Sequence, residues 1–395
     1  MENKKLKLGK NILSLGITSF FTDMSTEMIY PLLPMFLSET LGLTKSFIGI
    51  IEGAGESIAN VLKIFSGWLS DKIRKRKLLA LLGYSISTAM KPLFALIQTG
   101  WQALILRAFE RTGKGIRTAP RDAIIAASVT EDVKGRAFGF HRMMDTLGAV
   151  IGPLFATLLL IHFHGNYRKV FLLSAIPALI AVFVIAIFVE EKIKEKKEEI
   201  IEEKFKPYFK LFLTSACIFM LSDVSKVLLM IRLREVGVGA VYIPVIWMCF
   251  NLIYAGLSYP AGILADKYGT YKVLIFGFIL HTFIYLAFIF VTHKFSAILL
   301  LLLLGVYKGI SDGQLRRLTS TFTEKKLGTA YGLYHSLTGA SLLIGNLIFG
   351  RLWQSFSVKM AFTYAFILSL SGTILFIILS YLITKSERGF TGLPR

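Results

Sequence analysis

Apolar residues run along this chain in long blocks, each closed by a short charged or glycine-bearing stretch. A membrane-spanning helix takes ~20 mostly apolar residues. On that count the pattern predicts spans near residues 12–37, 46–69, 78–98, 102–127, 137–162 and 169–189, then 209–232, 242–265, 272–292, 296–318, 328–352 and 360–383. Glu190 to Lys206, a run of Glu and Lys, breaks the series in the middle and reads as a solvated helix or linker. The expected fold is all-α, a polytopic membrane protein of about twelve transmembrane helices in two pseudo-symmetric bundles. Residues 1–189 form an N-terminal six-helix bundle, 190–208 a charged cytoplasmic linker and 209–395 a C-terminal six-helix bundle.

Composition sharpens this reading. Of 395 residues, 54% are hydrophobic and 18% charged, more apolar material than a water-soluble core needs. The net charge of +20 invites a nucleic-acid reading, but the basic residues fall in short clusters between spans, as the positive-inside rule expects of cytoplasmic loops. Lys4, Lys5, Lys7 and Lys10 precede the first span, Lys72, Arg74, Lys75, Arg76 and Lys77 follow the second, and Lys134 and Arg136 follow the fourth. The alternate loops near Thr99, Gly165 and Phe295 carry fewer basic residues. Both termini are expected in the cytoplasm of a cell whose inner membrane holds the protein. The N-terminal apolar stretch is long, contains acids and lacks a small-residue cleavage site, so it is expected to stay. Cys217 and Cys249 lie within apolar runs and read as packing residues.

The two halves match at three places in the same order. Asp23-Met24-Ser25 is echoed by Asp223-Val224-Ser225, Gly67-Trp68-Leu69-Ser70-Asp71-Lys72 by Gly262-Ile263-Leu264-Ala265-Asp266-Lys267, and Gly135-Arg136-Ala137-Phe138-Gly139 by Gly328-Thr329-Ala330-Tyr331-Gly332. Two units of the same topology imply a pseudo-two-fold axis along the membrane normal.

On these residues the chain resembles the major facilitator superfamily over nearly its whole length. Gly67 to Arg76 looks like the family's motif A, in which the glycine allows close helix approach and the acid meets loop cations or a helix N-terminus. Arg74 stands where the family usually has glycine, and the second copy keeps Gly269. The resemblance implies a gating role for Gly67, Asp71, Arg74 and Arg76, with Gly262 and Asp266 in the second copy. Arg111-Thr112-Gly113-Lys114-Gly115 is similar to motif B, where the arginine is tied to proton coupling; Lys114 replaces the usual glutamine. Gly148 to Pro153 is similar to motif C, the antiporter signature, which adds Gly148, Gly152 and Pro153 to the gating set. With Pro31 and Pro34, which resemble the proline pair of twelve-helix drug/proton antiporters, this implies proton-driven export.

Ionisable groups within spans cost ~2.5–3.5 kcal/mol each on insertion scales, so they face partners or a wet cavity. Asp23 and Glu27 lie one turn apart in span one, and Glu52 and Glu56 in span two. Span three has Lys91; in span four Arg107, Arg111, Lys114, Arg117 and Arg121 recur every three or four residues as a cationic stripe, with Glu110 and Asp122 off to the side. Asp23, Glu27 and Arg111 are the expected proton-coupling residues, since a carboxyl group alternating between buried and cation-paired settings takes up and releases a proton. Glu52, Glu56, Lys91, Arg107, Lys114, Asp145, Asp223, Lys226 and Asn251 are the expected substrate-binding residues. The competing reading of the stripe is structural ion pairing, because buried ions need partners whatever the function. His141 with Asp145 suits a proton relay or a plain helix contact, and Lys308 with Asp312 has the spacing of an intrahelical ion pair.

The expectation is thus a secondary transporter, proton-coupled and exporting a small organic compound by alternating access. The alternative is a carrier of an anionic metabolite or siderophore-like acid; a lipid flippase stands further back. The expected partners are a small-molecule substrate, protons and the bilayer, with no nucleic acid, and the protein is expected to be a monomer. No H-E-x-x-H or C-x-x-C pattern occurs, so neither an enzyme, a metal site nor a cofactor is expected.

Overall fold

The computed structural model describes residues 9–129, 134–191, 206–322 and 327–391. Outside the described set fall linker residues 192–205, the side chain of Asp71, and the side chains of most of the Gly135–Gly139 and Gly328–Gly332 echo. The described residues are helical, with no strand among them. The elements are α1 (Lys10–Ile29), α2 (Leu33–Met35), α3 (Lys45–Ile73), α4 (Arg76–Leu93), α5 (Gly100–Ala127), α6 (Lys134–His162), α7 (Tyr167–Leu173), α8 (Ala175–Phe188), α9 (Phe209–Ser222), α10 (Lys226–Glu235), α11 (Ile243–Tyr268), α12 (Thr270–Phe288), α13 (Lys294–Thr321), α14 (Leu327–Ser355) and α15 (Val358–Thr391). Each of the twelve predicted spans coincides with a helix or a consecutive helix pair.

Among the described residues, seven stretches are long and apolar enough to cross a membrane by length and composition alone, including Arg76–Leu96, Tyr167–Phe188 and Val358–Lys385. The others miss that threshold for visible reasons. α5 carries the charged stripe, and span seven is split into α9 and α10, of 14 and 10 residues. Outward-facing apolar side chains such as Leu179, Phe183 and Ile187 on α8, each more than half exposed, form a surface suited to lipid.

Local chemistry sets the helix ends. α5 opens on a capping box: Thr99 Oγ1 accepts from the Gln102 N–H, while Gln102 Oε1 accepts from the Thr99 N–H. α4 opens against Glu191, whose two carboxylate oxygens accept the N–H groups of Arg76 and Lys77 at 3.0 and 2.9 Å, an anion on a helix N-terminus. Neighbouring Glu190 pairs with Lys10 at 3.2 Å, and its backbone N–H and C=O both bond the Asn11 amide. The start of the charged linker is thereby tied to the first turns of α1 and α4.

The turn after α3 explains a departure noted in the sequence. Arg74 sits at φ 53° and its counterpart Gly269 at φ 95°, and each donates its N–H four residues back, to Ser70 O and Ala265 O at 3.0 Å. The position calls for left-handed backbone, which glycine adopts freely and an L side chain only at a cost of about 1–2 kcal/mol.

The described residues pack into two compact units. One is drawn from Met1–Phe36, Ile58–Glu198 and Ala240–Met248, the other from Leu37–Ser57, Glu199–Gly239 and Cys249–Arg395. In the first, α1 lies against α6 and α8, and α4 against α5 and α8. In the second, α9 lies against α14 and α15, and α12 against α13 and α15. The second unit also holds the start of α3, where Gly49 and Gly53 meet Asn346 and Leu343 of α14 with no room for a Cβ. Beside that seam Glu39 pairs with Arg234 at 2.6 Å and Lys45 with Glu235 at 2.7 Å.

Candidate functional site

Charged side chains inside the spans collect into one cluster in each unit. The first is built on the contact of α1 with α6. A Cβ at Gly148 would lie 2.9 Å from Met24 N and 3.2 Å from Asp23 Cβ; one at Gly152 would lie 2.9 Å from Glu27 Cβ. The motif C-like glycines therefore press α6 onto the α1 backbone at the two acids. Gly152→Val is expected to cost about 1–3 kcal/mol by overpacking, read as a lower unfolding temperature in detergent. Gly262→Ala, with nothing within 4 Å of the added carbon, is expected to stay within about 0.5 kcal/mol of the parent. Gly67 makes only ordinary contact, 3.4 Å from Ala119 Cβ. In this structure the close approach occurs at the motif C-like glycines.

Around this contact the charges are unequally served. Glu110 is not off to the side of the stripe: buried between two cations, it accepts from Arg107 Nη1 at 3.0 Å and lies 3.5 Å from Arg111 Nε. Arg121 pairs with Asp122 at 2.8 Å. Arg117 donates to Ser87 Oγ at 2.6 Å and lies over the Tyr84 ring. Much of the stripe is thus satisfied on α5 itself or by α4, which Gly83 and Gly113 bring within backbone contact of α5. Lys91, 1% exposed, donates to Thr22 O at 3.2 Å and Thr26 Oγ1 at 3.1 Å, both on α1.

Glu27 accepts from the Trp247 indole at 2.5 Å; Trp247 packs on Tyr30, and Tyr30 lies under Arg107. Asp145 accepts from Ser19 and lies 3.6 Å from His141 Nδ1. Asp23, half-buried, makes no hydrogen bond or ion pair among the described residues. The charged groups that act on it include Asp145 of α6, Lys114, Arg117 and Arg121 of α5, Glu27 one turn on, and Lys91 of α4.

The second cluster forms where span seven unwinds. α9 stops at Ser222 and α10 starts at Lys226, with Asp223 extended at ψ 96°. Freed backbone groups find side-chain partners, as a membrane interior requires: Val224 N–H donates to Tyr285 Oη at 2.8 Å, and Ser225 N–H to Asn346 Oδ1 at 2.6 Å. The Asp223 carboxylate bridges Lys226 Nζ at 2.8 Å and Lys308 Nζ at 3.0 Å. The repeat partner Asp23 stays inside a continuous helix, so the sequence echo does not carry the same backbone.

Other expected site residues are placed elsewhere. Glu52 and Glu56 belong to the second unit, whereas Lys91, Arg107 and Lys114 belong to the first. Asn251 lies in α11 with its buried Nδ2 lacking a hydrogen-bond partner. Asp266 pairs with Arg317 at the surface. Sequence reasoning missed the anchoring role of Glu110, the Trp247–Glu27 bond, and His281, fully buried beside Asp223. A lone histidine in the apolar run of span nine was the available signal for His281; nothing local signals Trp247, which reaches Glu27 from 220 residues away.

Comparison with known proteins agrees with this architecture. The profile of the Major Facilitator Superfamily matches twice, over residues 15–231 and 211–394. An uncharacterised MFS-type transporter of Methanocaldococcus jannaschii is 35% identical over 384 residues, 94% of this chain and 96% of that protein. Multidrug resistance protein MdtG of Enterobacter lignolyticus is 27% identical over 178 residues, 44% of this chain and 42% of that protein. Among solved structures, a bacterial homologue of the human lysosomal transporter Spinster superposes with TM-score 0.77 at 12% identity, covering 95% of this chain and 97% of that one. The human organic anion transporter MFSD10 gives 0.68 at 14%, covering 93% and 99%. With the profile spanning both halves and a relative above 30% identity over nearly the full length, the chain belongs to the major facilitator superfamily of multi-pass membrane transporters.

Proposed function

We propose that this transporter is a proton-coupled antiporter that exports a small organic compound, with Asp23 as the principal proton carrier and Glu27 as its neighbour. The observation that supports this reading is the unequal service of charge in the first unit. Glu110 pairs with both Arg107 and Arg111, and Lys91 is bound to α1. Asp23 alone of the acids on α1 and α5 makes no hydrogen bond or ion pair among the described residues.

A half-buried acid within a span and without a partner is costly to hold ionised once water is excluded, so protonation is the inexpensive response when the site closes and proton release follows when it meets water or a cation. Arg111, in the motif B-like segment, keeps a permanent charge nearby, because the one Glu110 carboxylate offsets only one of the two guanidinium groups beside it. Gly148 and Gly152 couple this acid pair mechanically to α6, because any tilt of α6 moves the α1 backbone that carries both carboxylates. The stripe of α5 is a weak anion site on this account, its first two arginines being already paired.

The protein resides in the cytoplasmic membrane with both termini inside, on the distribution of Lys and Arg among the loops. Proteoliposomes with an imposed pH gradient, screened by counterflow with cationic drugs, organic acids and phosphorylated compounds, test the function. The expected result is substrate accumulation driven by the gradient and collapsed by a protonophore. Accumulation insensitive to pH for every accepted compound contradicts it.

A further inference from the structure

The break in span seven has a feature that ion pairing alone does not explain. Two ammonium groups on different helices meet one carboxylate, Lys226 and Lys308 on Asp223. Behind that carboxylate stands His281 of α12, 0% exposed. Its Nδ1 is 2.9 Å from Ser369 Oγ, and its Nε2 lacks a hydrogen-bond partner while lying 3.8 Å from Asp223 Oδ1. That is beyond hydrogen-bond range and within reach of a side-chain rotation. Asp223 thus has a second berth ready, at a buried ring nitrogen that is otherwise left unpaired at a cost.

Accessibility is ordered from front to back. The side chain of Lys308 is 22% exposed and that of Lys226 12%, whereas Asp223 is 6% and His281 0%. Two other polar groups near the carboxylate are engaged, and the Tyr307 ring lies against both His281 and Lys308. Tyr285 Oη accepts the Val224 N–H, and Asp312, one turn beyond Lys308, accepts from Tyr254 Oη at 3.0 Å. The N-terminus of α10, ten residues long, opens at Lys226 in the same place, adding a positive helix end to the two ammonium groups. Discontinuous helices of this kind point their N-termini at anionic substrate groups in other transporters.

We propose that Lys226 and Lys308 form a binding site for an anionic group, a carboxylate or phosphate, of the transported compound, and that Asp223 is its resident stand-in. When the substrate anion takes the lysines, Asp223 turns to the His281 Nε2–H, with Nδ1 accepting from Ser369. No proton is gained or lost in this exchange, since neutral His281 in the Nε2–H tautomer suffices. The proposal rests on the transport reading above and adds to it the substrate's charge class; the compound carries an anionic group in addition to whatever the proton carriers of the first unit exchange against.

The test uses purified full-length protein in nonionic detergent without a pH gradient, so that its failure leaves the proton assignment of Asp23 and Glu27 standing, and the converse. Phenyl phosphate and benzoate are titrated against thermal unfolding, with benzyltrimethylammonium as the cationic counterpart and phosphatidylglycerol as the lipid source of the same anion chemistry. Either small anion is expected to stabilise the wild type, with no shift from the cation.

Asp223→Asn removes the internal competitor and is expected to bind the anion about tenfold tighter. His281→Phe keeps the ring against Phe219 but removes the second berth, and is expected to weaken anion binding several-fold; Lys308→Met abolishes it. Equal responses to anion and cation, protection by phosphatidylglycerol alone, or unchanged affinity in both Asp223→Asn and His281→Phe overturns the proposal.

Discussion

Glu110→Gln lowers the stability of the protein by about 3–5 kcal/mol, the usual cost of breaking a buried ion cluster by removing one partner. Glu110 is 3% exposed and takes both Arg107 and Arg111, whose side chains are 3% and 5% exposed. The substitution keeps the volume and loses the charge, leaving two guanidinium groups that cannot shed their protons. Ser87, bonded to the Glu110 carbonyl at 3.0 Å, links the same turn of α5 to α4, so the loosened turn weakens the helix pair. The unfolding midpoint in detergent reports the loss. A triple variant, Glu110→Leu with Arg107→Met and Arg111→Met, recovers much of it, because replacing a whole buried ion cluster by apolar residues is close to neutral. A Glu110→Gln protein within about 0.5 kcal/mol of wild type shows that the cluster is not holding α5 together.

Asp23→Asn combined with Glu27→Gln abolishes uphill transport on a pH gradient while leaving substrate exchange at equilibrium intact. The substitutions are conservative for structure. Asp23 has no hydrogen bond or ion pair among the described residues to lose, and a glutamine at 27 still offers an oxygen to the Trp247 indole. Unfolding temperature is therefore expected to change by less than the equivalent of about 1 kcal/mol, which separates loss of coupling from loss of fold. Counterflow and gradient-driven accumulation in the same proteoliposomes make the comparison. A double variant that still concentrates substrate against its gradient removes these acids from the coupling path.

Much of the architecture was legible because lipid imposes a coarse rule. Backbone polar groups must be satisfied within a segment, so apolar length predicts helices, and each predicted span coincides with a helix. Spans one, six and seven each coincide as two consecutive helices, and at the break in span seven periodicity was silent. That break, at Asp223–Ser225, depends on Tyr285 and Asn346, which come from helices far along the chain and repair the freed N–H groups. The echo of Asp23-Met24-Ser25 by Asp223-Val224-Ser225 suggested like environments, yet the first copy stays helical; both copies are packed closely by glycines of a neighbouring helix, Gly148 and Gly152 against α1 and Gly345 against α9.

Charge pairing was legible in sign but not in partner. Helical spacing brought out the α5 cations, but counting them as one stripe left Glu110 aside, although it lies three residues from Arg107 and next to Arg111. Lys308 and Asp312 had the spacing of a pair, while the structure joins Lys308 to Asp223 across helices at 3.0 Å. Sequence distance does not encode such contacts. The glycine readings divide by the same logic: Gly269 follows from its left-handed turn, visible through comparison with Arg74, whereas the crowding at Gly152 required the neighbouring helix to be seen.

The central claim is that a proton leaves the α1 acids when substrate binds. Adding the substrate selected by counterflow to purified protein in weakly buffered detergent solution, with a pH-sensitive dye, measures this directly. Wild type releases protons, and the Asp23→Asn, Glu27→Gln protein binds the same compound and releases none. Equal proton release from both contradicts the account.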